Sequence, residues 1–123
     1  MRSPAFAIGW EGTLNLLRHA GALRGVVSPA RTALHHTASA TAFVMAPIDG
    51  LFEARANLDE EVAGGDLAGV IWPMDDLSRE AVALHFTVPG KVLCMRTMPM
   101  VRRGDFLCHT GEAMTDAEFL GDL

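Results

Sequence analysis

The chain has 123 residues and a mass of 13.2 kDa, enough for one domain with a small core. Half of the residues are hydrophobic and 20% are charged, which is typical of globular proteins and not of disordered ones. The net charge is −5, Lys91 is the only lysine and the arginines are scattered, so the clustered basic face of a nucleic-acid-binding protein is absent. No apolar run reaches the ~20 residues that span a bilayer, and we expect no signal peptide.

The first predicted element is a short amphipathic helix over residues 13–23. Its apolar residues recur at helical spacing and share one face. They are Leu16, Ala20 and Leu23, with Leu17 beside them. Gly25 is the predicted stop, because glycine commonly ends helices, and Pro29 prevents continuation. A connector rich in Ser, Ala and Thr follows.

Beyond residue 30, short apolar runs alternate with Pro, Gly and Asp, a pattern that predicts strands. The six runs are Ala42–Met45, Leu51–Ala56, Leu67–Trp72, Ala81–Val88, Val92–Met95 and Phe106–Thr110. Near the C-terminus Thr115 precedes Glu118 by three residues, as in a helix capping box. The sequence therefore predicts a mainly β protein of about seven short strands, preceded by one amphipathic helix. The predicted segments are 1–28 (helix and connector), 29–112 (β domain) and 113–123 (tail).

An internal repeat is the strongest signal in the β region. Residues 62–67 read V-A-G-G-D-L and residues 101–106 read V-R-R-G-D-F, so the pattern V-x-x-G-D-apolar occurs twice. An Ala/Val-Pro turn precedes each copy, at Pro47 and at Pro89. In each copy the glycine is suited to a strained turn position and the aspartate can cap that turn. The repeat predicts two similar halves that pack as two interleaved sheets around one core.

This arrangement resembles the biotinyl/lipoyl-like barrel-sandwich hybrid, a fold whose carrier domains attach a cofactor to a lysine on the hairpin between the halves. Residues 72–79 read W-P-M-D-D-L-S-R and contain no lysine, and Lys91 lies in the second proline turn. Because attachment needs an amine nucleophile, we exclude a biotin or lipoyl carrier. No cofactor is expected in this chain.

The stretch from Leu14 to Thr110 resembles the C-terminal portion of the succinylglutamate desuccinylase/aspartoacylase family of zinc-dependent amidohydrolases. It resembles in particular the bacterial deacylases, which include the acetyl-diaminobutyrate deacetylases of ectoine breakdown. The resembling segments are LLRHAGAL (16–23), MAPIDGLFE (45–53), LDEEV (58–62) and VRRGD (101–105). The resemblance implies hydrolysis of the amide between an acyl group and an amino acid, with zinc polarising the carbonyl and the water while a glutamate moves the proton.

The departures from the family concern its catalytic groups. The family's zinc site uses an H-x-x-E motif with a more distant histidine, and its glutamate lies in a T-x-E-apolar-G-G strand. The five histidines are His19, His35, His36, His85 and His109. Only His109 has a glutamate three residues later, Glu112, and it lies in the C-terminal β region, whereas the family's motif belongs to its N-terminal catalytic domain. Ala7 stands where the glutamate strand would place its acid, and Glu11 has the wrong neighbours. We therefore assign no catalytic, cofactor-binding or metal-binding residue to this chain, and expect zinc only in the full-length parent enzyme.

Several residues admit a functional and a structural interpretation, and we favour the structural one for each. Glu11 is interpreted as an acid in the first helical turn, stabilised by the helix dipole, rather than as a displaced base. His35 and His36 point to opposite faces if they lie on a strand, so they cannot easily share an ion. His85 and His109 face each other across strands in one possible arrangement, but no third ligand is placed.

The remaining candidates are interpreted in the same way. Cys94 and Cys108 are read as small buried residues with free thiols, as in a reducing cytoplasm, rather than as a nucleophile or a thiol pair. The methionines are read as residues that fill gaps in the core: Met95, Met98 and Met100. The charged turns are read as solvated: Asp75 and Asp76 near Glu80, and Arg102 with Arg103.

Three functions follow from these observations, in descending order. The first is the C-terminal domain or fragment of a zinc-dependent hydrolase that removes acyl groups from N-acyl amino acids, itself without the catalytic machinery. Its expected partner is the missing catalytic domain or a second copy of the chain, in the cytoplasm, with no nucleic acid and no membrane. The second is a stand-alone barrel-sandwich binding or assembly module. The third, a small complete enzyme, lacks a recognisable set of nucleophile, base and orienting group.

Overall fold

The computed structural model describes residues 4–28, 32–37 and 39–121. It divides into two compact units, Met1–Thr32 and Ala33–Leu123. The first unit contains helix α1, and the second contains every strand in the described residues together with helix α2. The prediction of a mainly β protein with a helix at its N-terminus is confirmed. No helix in the described ranges is long and apolar enough to cross a membrane.

Helix α1 spans Pro4–His19, so it begins at residue 4 rather than 13 and ends at 19 rather than 23. Its first residue is a proline, which a helix tolerates there because the first N–H groups have no intrahelical partner. The predicted stop at Gly25 was wrong. The chain turns at Gly21, whose φ is +74°, and the N–H of Ala22 donates to the carbonyl of Leu17 at 2.9 Å. This is a Schellman ending, in which glycine takes the left-handed conformation at little cost.

Nine strands occur in the described residues, and each of the six predicted runs overlaps one. The strands are β1 Leu34–His36, β2 Phe43–Met45, β3 Gly50–Ala54, β4 Glu61–Val62, β5 Leu67–Trp72, β6 Val82–His85, β7 Gly90–Met95, β8 Met100–Val101 and β9 Phe106–Met114. A short 3-10 helix, Ala40–Ala42, precedes β2, and helix α2 spans Asp116–Gly121. The three strands that the sequence did not predict are the short ones β1, β4 and β8.

The strands form two antiparallel sheets that exchange strands between the halves of the repeat. The four-stranded sheet has the order β6-β5-β3-β8. The five-stranded sheet has the order β1-β9-β7-β4, and β2 also pairs with β9. Strands β2 to β5 come from the first half and β6 to β9 from the second, so each sheet contains strands from both. The predicted interleaving of the two halves is confirmed.

The repeat recurs in the register of the strands. In the four-stranded sheet Gly50 pairs with Val101, and in the five-stranded sheet Gly90 pairs with Val62. Each valine of the V-x-x-G-D pattern is buried and lies opposite the glycine that follows the proline turn of the other half. The two halves therefore hold each other together by equivalent pairings.

The aspartates of the repeat cap their turns as predicted. The Asp66 carboxylate accepts a hydrogen bond from the backbone N–H of Ala63 at 2.7 Å. The Asp105 carboxylate accepts one from the backbone N–H of Arg102 at 3.0 Å. The Asp105 carboxylate also forms an ion pair with Arg96 at 3.1 Å. The turn glycines have positive φ, 95° at Gly65 and 87° at Gly104. A left-handed glycine and a capping carboxylate define each turn.

The core lies between the two sheets. Its largest fully buried side chains are Phe86, Ile71, Leu107, Val92, Thr110 and Cys108. At the C-terminus the predicted capping box is confirmed: the Thr115 N–H donates to the Glu118 carboxylate at 2.6 Å, and the Glu118 N–H donates to the Thr115 hydroxyl at 3.3 Å. The hydrogen bonds from Thr115 lower the pKa of Glu118.

Candidate functional site

The histidines that the sequence singled out are not brought together. His35 is half-buried and His36 exposed on successive positions of β1, so they face opposite sides, as predicted for a strand. His85 lies on β6 in the four-stranded sheet, whereas His109 lies on β9 in the five-stranded sheet. Within the described part of the chain, no three His, Cys, Asp or Glu side chains are placed to hold a metal ion.

His109 instead belongs to an aromatic cluster on the outer face of the five-stranded sheet. Its ring centroid lies 5.0 Å from that of Phe43 and 5.7 Å from that of Phe106. Its Nδ1 atom is buried without a hydrogen-bond partner. The sequence did not reveal this cluster, because its residues come from β2 and β9, two strands at opposite ends of the β unit in chain order. The cluster packs aromatic rings together and contains no arrangement of catalytic groups.

The two cysteines differ in burial, and the prediction that both are buried was wrong. Cys108 is completely buried in the core, and this burial raises the pKa of its thiol to about 11. Cys94 is exposed. A β-bulge between Val92 and Cys94 shifts the pairing of β7 with β9, so Cys94 lies opposite His109 on the outer face. Both thiols are free, and the raised pKa of Cys108 is the opposite of what a reactive nucleophile needs.

Two of the three methionines are not in the core, contrary to the prediction. Met95 is half-buried and packs against the core. Met98 and Met100 expose 67% and 59% of their surface. Met100 lies on β8 and Met98 lies in the loop before it, so neither fills a gap in the interior.

A cleft that combines charged and apolar side chains lies beside the turn between the two halves, with a volume of about 410 Å³. Its lining includes Asp49, Met74, Asp75, Arg79, Met100 and Arg102. The Asp75 carboxylate pairs with Arg79 at 3.2 Å, and Asp49 accepts a hydrogen bond from the N–H of Arg103 at 2.7 Å. Most of these charges are therefore engaged in holding turns. The cleft carries no arrangement of nucleophile and base.

The turn between the halves is also held by Asp76. Its carboxylate accepts hydrogen bonds from the N–H of Ser78 at 3.0 Å and from the Ser78 hydroxyl at 2.7 Å, which lowers the pKa of Asp76. These bonds belong to an exposed turn, in agreement with the interpretation of Asp75 and Asp76 as a solvated hairpin tip.

Next to this cleft, an apolar row crosses the outer face of the four-stranded sheet. Leu51 on β3 pairs with Trp72 on β5 and with Met100 on β8, so the three side chains project from the same face. The Trp72 indole N–H donates to the Glu53 carboxylate at 3.0 Å, and Glu53 forms an ion pair with Arg55 at 2.9 Å. These contacts fix the orientation of an indole ring that remains 45% exposed.

Helix α1 presents apolar side chains to solvent around its circumference. Ile8 is 76%, Trp10 48% and Leu16 66% exposed. No described side chain of the helix is buried. Glu11 lies in the helix interior and not in its first turn, which contains no acidic residue. The interpretation of Glu11 as a first-turn acid was therefore wrong, because the helix begins earlier than predicted.

Comparison with known proteins agrees with the resemblance read from the sequence. No protein-family model and no curated protein matches the chain. Among solved structures, a succinylglutamate desuccinylase/aspartoacylase from Rhodobacter sphaeroides is 32% identical with a TM-score of 0.80, and covers 94% of this chain. The ectoine utilization protein EutE (DoeB) from Ruegeria pomeroyi is 30% identical with a TM-score of 0.80, and covers 90%. A succinylglutamate desuccinylase from Silicibacter is 25% identical with a TM-score of 0.78, and covers 93%.

These matches confirm the predicted resemblance to the succinylglutamate desuccinylase/aspartoacylase family. They are also partial. The chain spans 38% of the Rhodobacter protein, 34% of the Ruegeria protein and 35% of the Silicibacter protein. It therefore corresponds to about a third of the length of the solved structures that it matches.

Proposed function

We propose that this chain, which shares its fold with one part of the succinylglutamate desuccinylase/aspartoacylase family proteins, is the β portion of a zinc-dependent hydrolase that removes acyl groups from N-acyl amino acids. The observation that carries the proposal is the match itself, with TM-scores of 0.80 over 90–94% of the chain. Fold similarity alone does not fix a function. Here it is joined by the independent resemblance of four sequence segments in the same order.

In this proposal the catalytic groups belong to the rest of the enzyme. The family implies a zinc ion, which would polarise the scissile carbonyl and a water molecule. The described residues of this chain do not fit that ion, because no three candidate ligands converge and the histidines are distributed over α1 and both sheets. We therefore assign no catalytic step to a residue of this chain.

Helix α1 supports the need for a partner. It contains Gly9 and Gly12, each of which weakens a helix by about 1 kcal/mol relative to alanine. In proteins most of the stability of a helix comes from packing an apolar face against other structure. Since Ile8, Trp10 and Leu16 are exposed, a catalytic portion that covers them would supply the missing burial.

We further infer that the β unit is a barrel-sandwich hybrid of the biotinyl/lipoyl type. The exchange of strands between two repeated halves supports this class. The turn between β5 and β6, where the carrier domains hold their lysine, contains none, so the fold is used here without a carried cofactor. The two free thiols support a reducing compartment such as the cytoplasm.

A chimera tests the proposed function. The matched part of the Rhodobacter sphaeroides protein is replaced by this chain, and hydrolysis of N-succinylglutamate and N-acetylaspartate is measured for the chimera, the parent and the chain alone. We expect a zinc-dependent chimera and an inactive chain. Hydrolysis by the chain alone, or a folded chimera without activity towards any substrate of its parent, would contradict the proposal.

The second candidate is a stand-alone binding or assembly module. The observation in its favour is that residues 33–123 form a compact unit of their own, with both halves of the repeat present. An immunoblot of the source cells separates the candidates. A band far above 13.2 kDa favours a longer enzyme, whereas a band at that mass favours the module and directs attention to its self-association.

A further inference from the structure

The apolar row formed by Leu51, Trp72 and Met100 lies on the outer face of the four-stranded sheet and is partly exposed. Trp72 exposes 45% and Met100 59% of its surface, and Leu51 between them is half-buried. The hydrogen bond to Glu53 restrains the indole before any partner binds. Restrained tryptophans are frequent anchors of protein interfaces, because little conformational entropy is lost when they are covered.

The other half of the repeat provides an internal comparison for this row. Residues 51, 72 and 100 correspond to Lys91, Gly111 and Glu61, which pair with one another in the same register on the five-stranded sheet. In that row Glu61 is exposed, Lys91 is half-buried and Gly111 is buried. Lys91 forms ion pairs with Asp59 at 3.0 Å and with Glu61 at 3.8 Å.

The comparison shows that the fold does not require apolar residues at these three positions. The equivalent ladder, which is likewise flanked by a pairing of glycine with valine, carries a lysine, a glycine and a glutamate. Exposed apolar clusters on soluble proteins commonly mark interaction sites. An interaction of this surface with another part of a protein therefore explains the apolar row better than the packing of this chain does.

We propose that the row formed by Leu51, Trp72 and Met100 is the surface on which the catalytic portion of the enzyme packs, while the charged row of the other sheet faces solvent. This inference rests on the proposed function. More than three fifths of each matched structure lies outside the part that this chain covers, which provides a body large enough to cover the row. Permanent interfaces of this kind have apolar, aromatic centres.

Methionine oxidation maps the covered surface without any substitution. Mass spectrometry follows oxidation by dilute hydrogen peroxide at Met100, and at Met45 as a control. Met45 is 47% exposed on the outer side of β2, in the five-stranded sheet. From the chain alone to the active chimera, we expect oxidation of Met100 to slow at least tenfold and that of Met45 to change less than twofold.

A variant built from the repeat itself tests the row directly. Leu51→Lys with Met100→Glu introduces the residues that the other half already carries at these positions. In the chain alone we expect the melting temperature to change by less than about 3 °C. In the chimera we expect it to fall by about 5 °C or more, because a charged row must be desolvated there.

Each outcome decides the inference. An active chimera in which Met100 oxidises as fast as in the chain alone overturns it, as does protection of Met45 instead. If the isolated chain with both substitutions does not fold, the row is needed for folding, and this result also overturns the inference. Protection of Met100 in a dimer of the chain assigns the surface to a second copy and overturns it too. An inactive or unfolded wild-type chimera refutes the proposed function, and the inference falls with it.

Discussion

Raising the pH above 9 tests how completely the core closes around Cys108. The side chain lies on β9 with no exposed surface, and burial, with a smaller effect of the nearby Cys94, raises the pKa of its thiol from 9.0 to about 11. In the unfolded chain the thiol has its ordinary pKa. Between pH 9 and 11 the unfolded state therefore releases a proton that the folded state retains. Stability is fully present below pH 9 and is lost as the pH rises towards 11.

The size of the loss follows from the two pKa values. One pKa unit corresponds to about 1.4 kcal/mol, so the full shift is worth about 2.7 kcal/mol. Integration over pH gives a loss of about 1.4 kcal/mol at pH 10 and about 2.3 kcal/mol at pH 11. Small domains have total stabilities of about 5–15 kcal/mol, so a single thiol removes a measurable part of the stability.

Urea unfolding of the wild type and of Cys108→Ala at pH 8, 9, 10 and 11, in the presence of a reductant, measures this loss. The sequence contains no tyrosine and one lysine, so few other groups titrate in this range. Asp59 raises the pKa of Lys91, which also lowers stability at high pH but equally in both proteins. The difference between wild type and variant should shrink by about 2 kcal/mol from pH 8 to pH 11, since only the wild type carries the shifted thiol. A constant difference would refute the closed core around this thiol.

Three further predictions concern the turns and the surface. Asp105→Ala should destabilise the chain by about 1–2 kcal/mol in urea unfolding, because a turn N–H and an arginine lose their acceptor, whereas Asp66→Ala removes only the turn bond and should cost about 1 kcal/mol. Helix α2 should fray as the pH falls through the lowered pKa of Glu118, because the capping carboxylate then becomes protonated. Carbon chemical shifts of the helix measure this fraying. Glu118→Gln should abolish its pH dependence. Iodoacetamide should modify Cys94 in the folded chain and Cys108 only in the unfolded chain, as read by mass spectrometry.

Each of these has a result that contradicts it. Equal destabilisation by both aspartate substitutions would show that the ion pair of Asp105 with Arg96 adds nothing. Unchanged pH dependence in the Glu118→Gln variant would place the titrating group elsewhere. Rapid modification of Cys108 in the folded chain would mean that the sheets open far more often than their packing indicates.

Strands that an apolar run and its flanking turn residues mark could be predicted from the sequence. Strands that exist only through pairing with a strand distant in the chain could not. Strand β5 has the predicted bounds, Leu67–Trp72, because a turn signal lies at each end of an apolar run. Strands β4 and β8 are two residues long and exist only through pairing with β7 and β3. The start of α1 was missed because its first turns contain aromatic and glycine residues without the spacing of an amphipathic face.

The exposed surfaces were harder to predict than the core. Strict alternation from the buried Val92 places Cys94 inside, but the bulge between them turns the thiol outwards. A bulge changes the register by one residue and leaves no clear mark on a single sequence. The row of Leu51, Trp72 and Met100 was missed for another reason. Its members are distant from one another in the chain, and only the pairing of β3 with β5 and β8 aligns them.

The repeat separates what the fold requires from what it permits. Where the two halves agree, as at Val62 and Val101 or Asp66 and Asp105, the same buried contact or turn bond explains both residues. Where they differ at equivalent positions, the pairing of the strands alone does not explain the choice. A half-exposed tryptophan opposite leucine, at a place where the other half carries glycine and lysine, is such a choice. Its explanation lies in what touches that face, and under the proposed function this is the catalytic portion of the enzyme.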